Sequence, residues 1–382
     1  GIGRVERGHI ARNQMAVLCS EEAPEGRSVR VSRLYQFEGL RRVECEEAAA
    51  GDIVCVAGIE NLSIGETLCD PEHVAALPFI QIDEPTISMN FMVNDSPFAG
   101  REGKFVTSRN IRDRLMKEVE TNVSMRVEET GTTDAFKVSG RGELHLSILI
   151  ETMRRQGYEL QVSCPKVITK EIDGETHEPM EQLLVEVPEK YVGVVIEKLG
   201  QRKAELENMS SENETTHMTF KMPARGLIGY RTEFLTDTNG NGIMNQLFAG
   251  YAPWKGDIPG RERGSLVVHE TGESTAYGLH NAQERGRLFI GAGMSVYEGM
   301  ICGEAARNED VVINVCKKKQ LTNIRAAGSD DALRLTTPTT LSLEQSMEFI
   351  RDDELLEVTP QSLRLRKVWL NKEMRNRGAK KS

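Results

Sequence analysis

Glu143 and His145 stand one residue apart in Gly142-Glu143-Leu144-His145-Leu146. A carboxylate beside an imidazole can move a proton. Residues two apart on a helix point to different faces, however. No serine or cysteine nucleophile is placed beside them. We expect a hydrogen-bonded histidine between domains rather than an acid–base pair. Gly100-Arg101-Glu102-Gly103-Lys104-Phe105 has the flavour of a phosphate loop. That loop requires a glycine five residues before Gly103 and a hydroxyl residue after Lys104. Those positions hold Phe98 and Phe105. The stretch therefore reads as a flexible loop with a basic surface at Lys104. Thr238-Asn239-Gly240-Asn241-Gly242 lies between a helix and a strand, and reads as a turn. The seven histidines show no HxxxH or HxH spacing, and the seven cysteines form no CxxC pair; metal-binding sequences use such spacings. No catalytic residue and no metal ligand is expected.

The remaining chemistry is anion binding. Lys317-Lys318-Lys319-Gln320-Leu321-Thr322-Asn323-Ile324-Arg325 is the densest internal basic cluster in a chain of formal charge −10. It leaves a buried-strand pattern, Val311 to Cys316. Lys317, Lys318, Lys319 and Arg325 could contact a phosphate backbone, with hydrogen bonds from Gln320, Thr322 and Asn323; the alternative is a solvated hairpin tip. A second basic run is the tail, where Arg364, Arg366, Lys367, Lys372, Arg375, Arg377, Lys380 and Lys381 face the single acid Glu373. Arg141-Gly142 and Arg225-Gly226 each lead from a strand toward a helix. An open helix N-terminus favours an anion. Equally, each can be a turn with a solvated arginine.

These residues need elements to position them. Length and composition, 382 residues with 39% hydrophobic and 28% charged, predict a multidomain α+β protein with real cores. The acidic balance argues against a general nucleic-acid coat, but permits local basic patches. No run approaches the ~18 apolar residues of a membrane helix, so no membrane partner is expected. No leader pattern is present. The chain opens in what reads as mid-strand, so we expect a piece of a longer cytoplasmic protein with reduced core cysteines. Residues 1–79 alternate as short strands between glycine turns and predict a small β-barrel. Residues 80–165 read β-α-β-β-α-β, a ferredoxin-like sandwich. Here Thr107 or Ser108 caps a helix carrying Ile111, Leu115 and Val119, and a second helix carries Leu146, Leu149, Ile150 and Met153. Residues 166–251 repeat that order, with Gly200 stopping one helix and another starting near Gly226. Residues 252–382 form a mixed β-rich C-terminal domain. Ser342 and Gln345 are spaced there as a capping box, and a frayed tail follows Trp369.

Particular motifs within these elements match a known family. Gly3-Arg4-Val5-Glu6-Arg7-Gly8 with Ala50-Gly51-Asp52-Ile53-Val54 resembles the barrel domain of translational GTPases. Gly142-Glu143-Leu144-His145-Leu146 resembles a helix start in the third domain of elongation factor G. Arg225-Gly226-Leu227-Ile228-Gly229-Tyr230-Arg231 and Lys318-Lys319-Gln320-Leu321-Thr322-Asn323-Ile324-Arg325-Ala326 resemble the fifth and C-terminal domains of the BipA (TypA) family. The resemblance implies a cytoplasmic, monomeric, ribosome-binding GTPase active in ribosome assembly and in stress or cold adaptation. Its implied partners are rRNA, A-site tRNA and ribosomal proteins. The loop Lys317 to Asp331 would reach the acceptor end of the tRNA. Arg141, Arg225, Arg231 and Lys104 are implied as further ribosome contacts. The family lacks the tRNA-mimicking fourth domain of elongation factor G, and none is visible between Met222 and Gly242. The departure is the N-terminal G domain, whose nucleotide motifs are missing. These residues are therefore expected neither to bind nor to hydrolyse GTP, and to hold no cofactor; GTP and Mg²⁺ belong with the G domain. Two other readings remain, a scaffold that binds ribosomal proteins without touching RNA and a small-molecule enzyme using Glu143 and His145.

Overall fold

Short strands broken by glycine turns build the first eighty residues. The computed structural model describes residues 1–20, 23–79, 84–212, 214–318 and 334–378. The chain divides into two units, 1–82 and 83–382. In the first, Ile53–Ala57 and Arg33–Glu38 form the middle of an antiparallel sheet edged by Ile2–Arg4 and Arg41–Glu44. Met15–Cys19 lies between Arg27–Arg30 and Thr67–Cys69 in a second sheet. Val31, Leu34, Ala48, Val54 and Val56 meet in one core cluster, and Ala16, Leu18 and Val29 in another. The alternation of the sequence sends these side chains to one face. No helix occurs among the described residues of this unit.

The second unit opens with the strand Ile87–Met92, followed by the helix Ser108–Val119, the strands Arg126–Glu129 and Ala135–Gly140, the helix Glu143–Arg155 and the strand Leu160–Val162. Thr107 caps the first helix in a reciprocal box with Asn110, an arrangement worth about 1 kcal/mol. Ile111 and Leu115, one helical turn apart, are fully buried. Leu146, Leu149, Ile150 and Met153 line the buried face of the second helix.

The sheet does not stop at the boundary expected near residue 165. Leu160–Val162 pairs antiparallel with Glu354–Val358. The sheet then runs through Leu363–Lys367 and Met300–Ala305 to Ser265–Val268, which pairs in parallel with Val311–Ile313. One apolar core unites Phe91, Leu146 and Leu160 with Met347, Leu356 and Val358. Leu160–Val162 is buried at every position, so it is an interior strand and not a free edge.

The second β-α-β-β-α-β run has its own sheet. Glu175–Pro188 pairs with Lys170–Ile172, Thr215–Pro223 and Ile243–Pro253, and Glu205–Glu212 forms an edge. Its helices differ from expectation in two places. Val192–Gln201 runs through Gly200 and turns at Lys203, which takes φ +64. The helix expected near Gly226 starts at Tyr230. A 3-10 turn, Ala224–Leu227, comes first. Gly229 at φ +74 then breaks the path, a conformation that favours glycine. Ser342 and Gln345 do form a capping box. The tail after Trp369 contains a short helix, Lys372–Gly378, where fraying was expected. The Arg375 guanidinium donates to the Trp369 carbonyl at 3.0 Å and so ties it down. All seven cysteines are free thiols. Among the described residues no helix is long and apolar enough to cross a membrane.

Candidate nucleic-acid interface

The basic loop leaves a rigid strand. Val311–Ile313 is hydrogen-bonded to Ser265–Val268, and Val315 beyond it is fully buried. The chain then emerges, and Lys317 and Lys318 are exposed. Neither ammonium has a carboxylate partner among the described residues. Lys319, Gln320, Thr322, Asn323 and Arg325 lie outside the described residues.

A second basic surface forms where the two β-α-β-β-α-β runs meet. A cleft of about 320 Å³ there is lined by Arg141, Gly142, His145, Arg231 and Gln246, among others. Arg141 and Arg231 are exposed. Their guanidiniums have no carboxylate partner among the described residues. Gly142 N-caps the 13-residue Glu143–Arg155 helix without any side-chain cap, so among the described residues no capping side chain covers its first amides. Glu143 and Glu181 also line the cleft, so its charge is mixed.

Glu143 and His145 point apart, as two-residue spacing requires. The link across the cleft is made by Glu143, whose carboxylate accepts from the Gly229 N–H at 3.0 Å. Burial raises its pKa, with repulsion from Glu344 adding to it. The expected interdomain role of His145 is not seen. Its Nε2 lies 2.7 Å from the Asn122 amide within its own β-α-β-β-α-β run, and burial lowers its pKa. The pair does not make a proton relay.

Other expected contacts are engaged internally. Arg225 forms a two-pronged pair with Glu178, which is fully buried. It also donates to the Gly256 carbonyl. Its guanidinium stacks 3.7 Å from the Trp254 ring centroid. With only 12% of the side chain exposed, Arg225 is removed from the set of surface contacts.

Part of the basic tail is corrected in the same way, while Lys372 and Arg377 stay exposed. Arg366 pairs with Asp95 at 2.6 Å, and Lys367 is enclosed by Asp310, Asp353 and Glu354 at 2.6, 2.8 and 2.9 Å. Arg364 pairs with Glu357 at 2.9 Å and also with Glu102. These three cations stitch the sheet together and are not presented to a partner. Lys380 and Lys381 lie outside the described residues.

The Gly100–Lys104 loop does cradle an anion, but the anion is the chain's own. Gly100 and Gly103 donate their N–H groups to the Glu159 carboxylate at 2.7 and 2.8 Å. Asn94 adds a third bond at 2.8 Å, and Glu159 is fully buried. Lys104 remains exposed, its ammonium 5.4 Å from the Phe105 ring centroid. Sequence reasoning did not find Glu159, because nothing local connects it to Gly103.

Three protein-family models match the chain. Residues 263–372 match the TypA/BipA C-terminal domain, 175–262 the elongation factor G C-terminus, and 1–69 elongation factor Tu domain 2. The protein named Large ribosomal subunit assembly factor BipA in Bacillus subtilis (strain 168) is 51% identical over 383 residues, covering 100% of this chain and 62% of that protein. The chain belongs to the BipA (TypA) family. Proteins of the same name in Synechocystis sp. (strain PCC 6803) and Salmonella typhimurium are 52% and 48% identical, covering 96% and 100% of this chain and 62% and 63% of theirs. The chain thus spans somewhat under two thirds of the length of these curated BipA relatives. A crystal structure from Thermus thermophilus matches at a TM-score of 0.40 with 18% identity, over 66% of this chain and 54% of that one. That likeness is too low to bear on the fold. Lys317 and Lys318 fall within the BipA C-terminal match, and Arg225 and Arg231 within the elongation factor G match.

Proposed function

We propose that the chain is the ribosome-docking part of a BipA-like translational GTPase. In this reading it contacts rRNA and the acceptor end of A-site tRNA through Lys317, Lys318, Lys319, Gln320, Thr322, Asn323 and Arg325. Arg141, Arg231 and Lys104 are additional ribosome contacts. One observation carries the reading: Lys317 and Lys318 are exposed and lack carboxylate partners among the described residues, whereas Arg364, Arg366 and Lys367 of the other basic run are paired. The name shared by its relatives, a large ribosomal subunit assembly factor, supports the ribosome as partner.

The domains of this reading are a barrel over 1–79, two ferredoxin-like sandwiches over 80–165 and 166–251, and a BipA-specific domain over 252–382. The whole protein acts in ribosome assembly and in stress or cold adaptation, in the cytoplasm and as a monomer. GTP hydrolysis, with GTP and Mg²⁺, is assigned to a G domain and not to these residues. Ribosomal proteins are partners alongside rRNA, and a membrane is not.

The test is capture of the full chain by protein-free ribosomal RNA and, separately, by ribosomal proteins stripped of RNA. The reading expects capture on RNA, weakened when Lys317, Lys318, Lys319 and Arg325 are all changed to alanine. Capture by the proteins alone, unaffected by those changes, would replace it with a scaffold that does not touch RNA.

A further inference from the structure

We infer that the short helix Ala276–Gln283 is the mount of the basic loop, with Thr275 and Gln283 as its positioning residues. The inference rests on the reading that the loop contacts RNA, and adds which residues hold it in place.

Both ends of the loop are tied to this one helix. At the outgoing end, Thr275 is the N-cap and accepts from the Gly278 N–H at 3.0 Å. Capping needs nothing more. Yet the same hydroxyl donates to the Lys317 carbonyl at 2.6 Å, and the Thr275 N–H donates to the Val315 carbonyl at 2.9 Å. The approach is close: a Cβ on Gly278 would lie 2.2 Å from the Val315 carbonyl oxygen. Glycine is what lets the helix meet the departing backbone.

At the returning end, the Gln283 amide donates to the Arg334 carbonyl at 3.0 Å, and its oxygen accepts from the Thr336 N–H at 3.0 Å. A side-chain amide has both a donor and an acceptor, and here both grip the backbone, as a neighbouring strand would. The Thr336 hydroxyl also donates to the same oxygen at 3.3 Å. Thr275 and Gln283 are eight residues apart, so the helix sets the two anchors roughly 12 Å from each other along its axis.

A loop held at both ends has less freedom to give up on binding than the same loop with its ends loose. The mount should therefore raise affinity without supplying charge. Loop cations should set the salt dependence, since that counts released counterions. The two contributions can be separated.

The experiment measures binding of the full chain to purified large ribosomal subunits across a salt series, with melting followed in parallel. Gln283→Ala should weaken binding roughly 3- to 10-fold, as expected when its hydrogen bonds to Arg334 and Thr336 are removed, with the salt slope unchanged. Thr275→Val should act in the same direction, and Thr275→Ser, which keeps the hydroxyl, should bind like the parent. In a chain already carrying alanine at Lys317, Lys318, Lys319 and Arg325, Gln283→Ala should weaken binding no further. If the neutralised loop binds more weakly while Gln283→Ala binds like the parent, the mount is wrong and the RNA contact stands. An equal weakening by Gln283→Ala with and without the loop charges would mark a general structural effect and also overturn the mount. If neutralising the loop changes nothing, both readings fall. Should Thr275→Val not fold, Gln283→Ala decides the matter, since that side chain is only partly buried.

Discussion

Arg141-Gly142 and Arg225-Gly226 are the same dipeptide at the same place in two successive β-α-β-β-α-β runs, and their arginines have opposite fates. Arg225 meets Glu178, a fully buried carboxylate on the neighbouring strand, and becomes part of the interior. Arg141 meets no carboxylate among the described residues and stays exposed at the mouth of a cleft. The glycines diverge too. Gly142 caps a 13-residue helix, whereas Gly226 lies in a 3-10 turn that delays the next helix until Tyr230. A cation is available to a partner only where the fold supplies no anion of its own. The rule extends to Gly100–Lys104, whose amides hold Glu159, and to the tail, whose Arg364, Arg366 and Lys367 hold carboxylates of the sheet.

The contrast breaks most readily at Arg225. Changing it to alanine leaves Glu178 buried and unpaired, which should cost about 3–5 kcal/mol of stability. Arg141→Ala should stay within about 0.5 kcal/mol, as exposed substitutions do. Urea unfolding of both variants checks this, and similar destabilisation of the two would erase the distinction. Next in size is Gly103→Ala. The new Cβ would lie 2.3 Å from the Cβ of Glu159, an overpacking that should cost roughly 1–3 kcal/mol in the same assay. An unaffected midpoint would show that the Glu159 cradle is loose.

The exposed side of the comparison predicts binding rather than stability. Arg141→Ala and Arg231→Ala should each weaken attachment to large ribosomal subunits and lower the log–log salt slope by about 0.7–0.9 if each touches one phosphate. Unchanged slopes would leave the cleft without an RNA role.

The smallest effect concerns Glu348. The residue is exposed, but its carboxyl end lies against Gly229, next to Glu143. Burial, then repulsion from Glu143, raises its pKa from 4.5 to about 7. Its contribution to stability is therefore present in full below about pH 4.5 and lost as pH rises through about 7. Glu348→Gln stays neutral, so relative to the parent it should gain stability between pH 5 and pH 8. Paired urea curves at those two values read this out. A difference that does not vary with pH would contradict it.

What was legible in the sequence was local. Thr107, the Ser342–Gln345 box and the stripe of Leu146, Leu149, Ile150 and Met153 depend on residues within a few turns of each other, and each appears where the spacing puts it. What was not legible depends on partners far along the chain. Glu178 claims Arg225 across 47 residues and Glu159 claims Gly103 across 56. Asp95 pairs with Arg366 across 271, so a basic tail looked like surface. The pairing of Leu160–Val162 with Glu354–Val358 likewise merges two stretches that composition separates. Of the interface, the exposure of Lys317 and Lys318 follows from a strand ending in a charged run. The meeting of Arg141 with Arg231 in one cleft could not be read, because it depends on how two sheets dock.

The most direct test of the central claim is the salt dependence of binding to large ribosomal subunits, with and without alanine at Lys317, Lys318, Lys319 and Arg325. If these cations lie on RNA phosphates, the variant binds more weakly and its slope is shallower by roughly 0.7–0.9 for each phosphate no longer neutralised. An identical affinity and an identical slope would contradict the account.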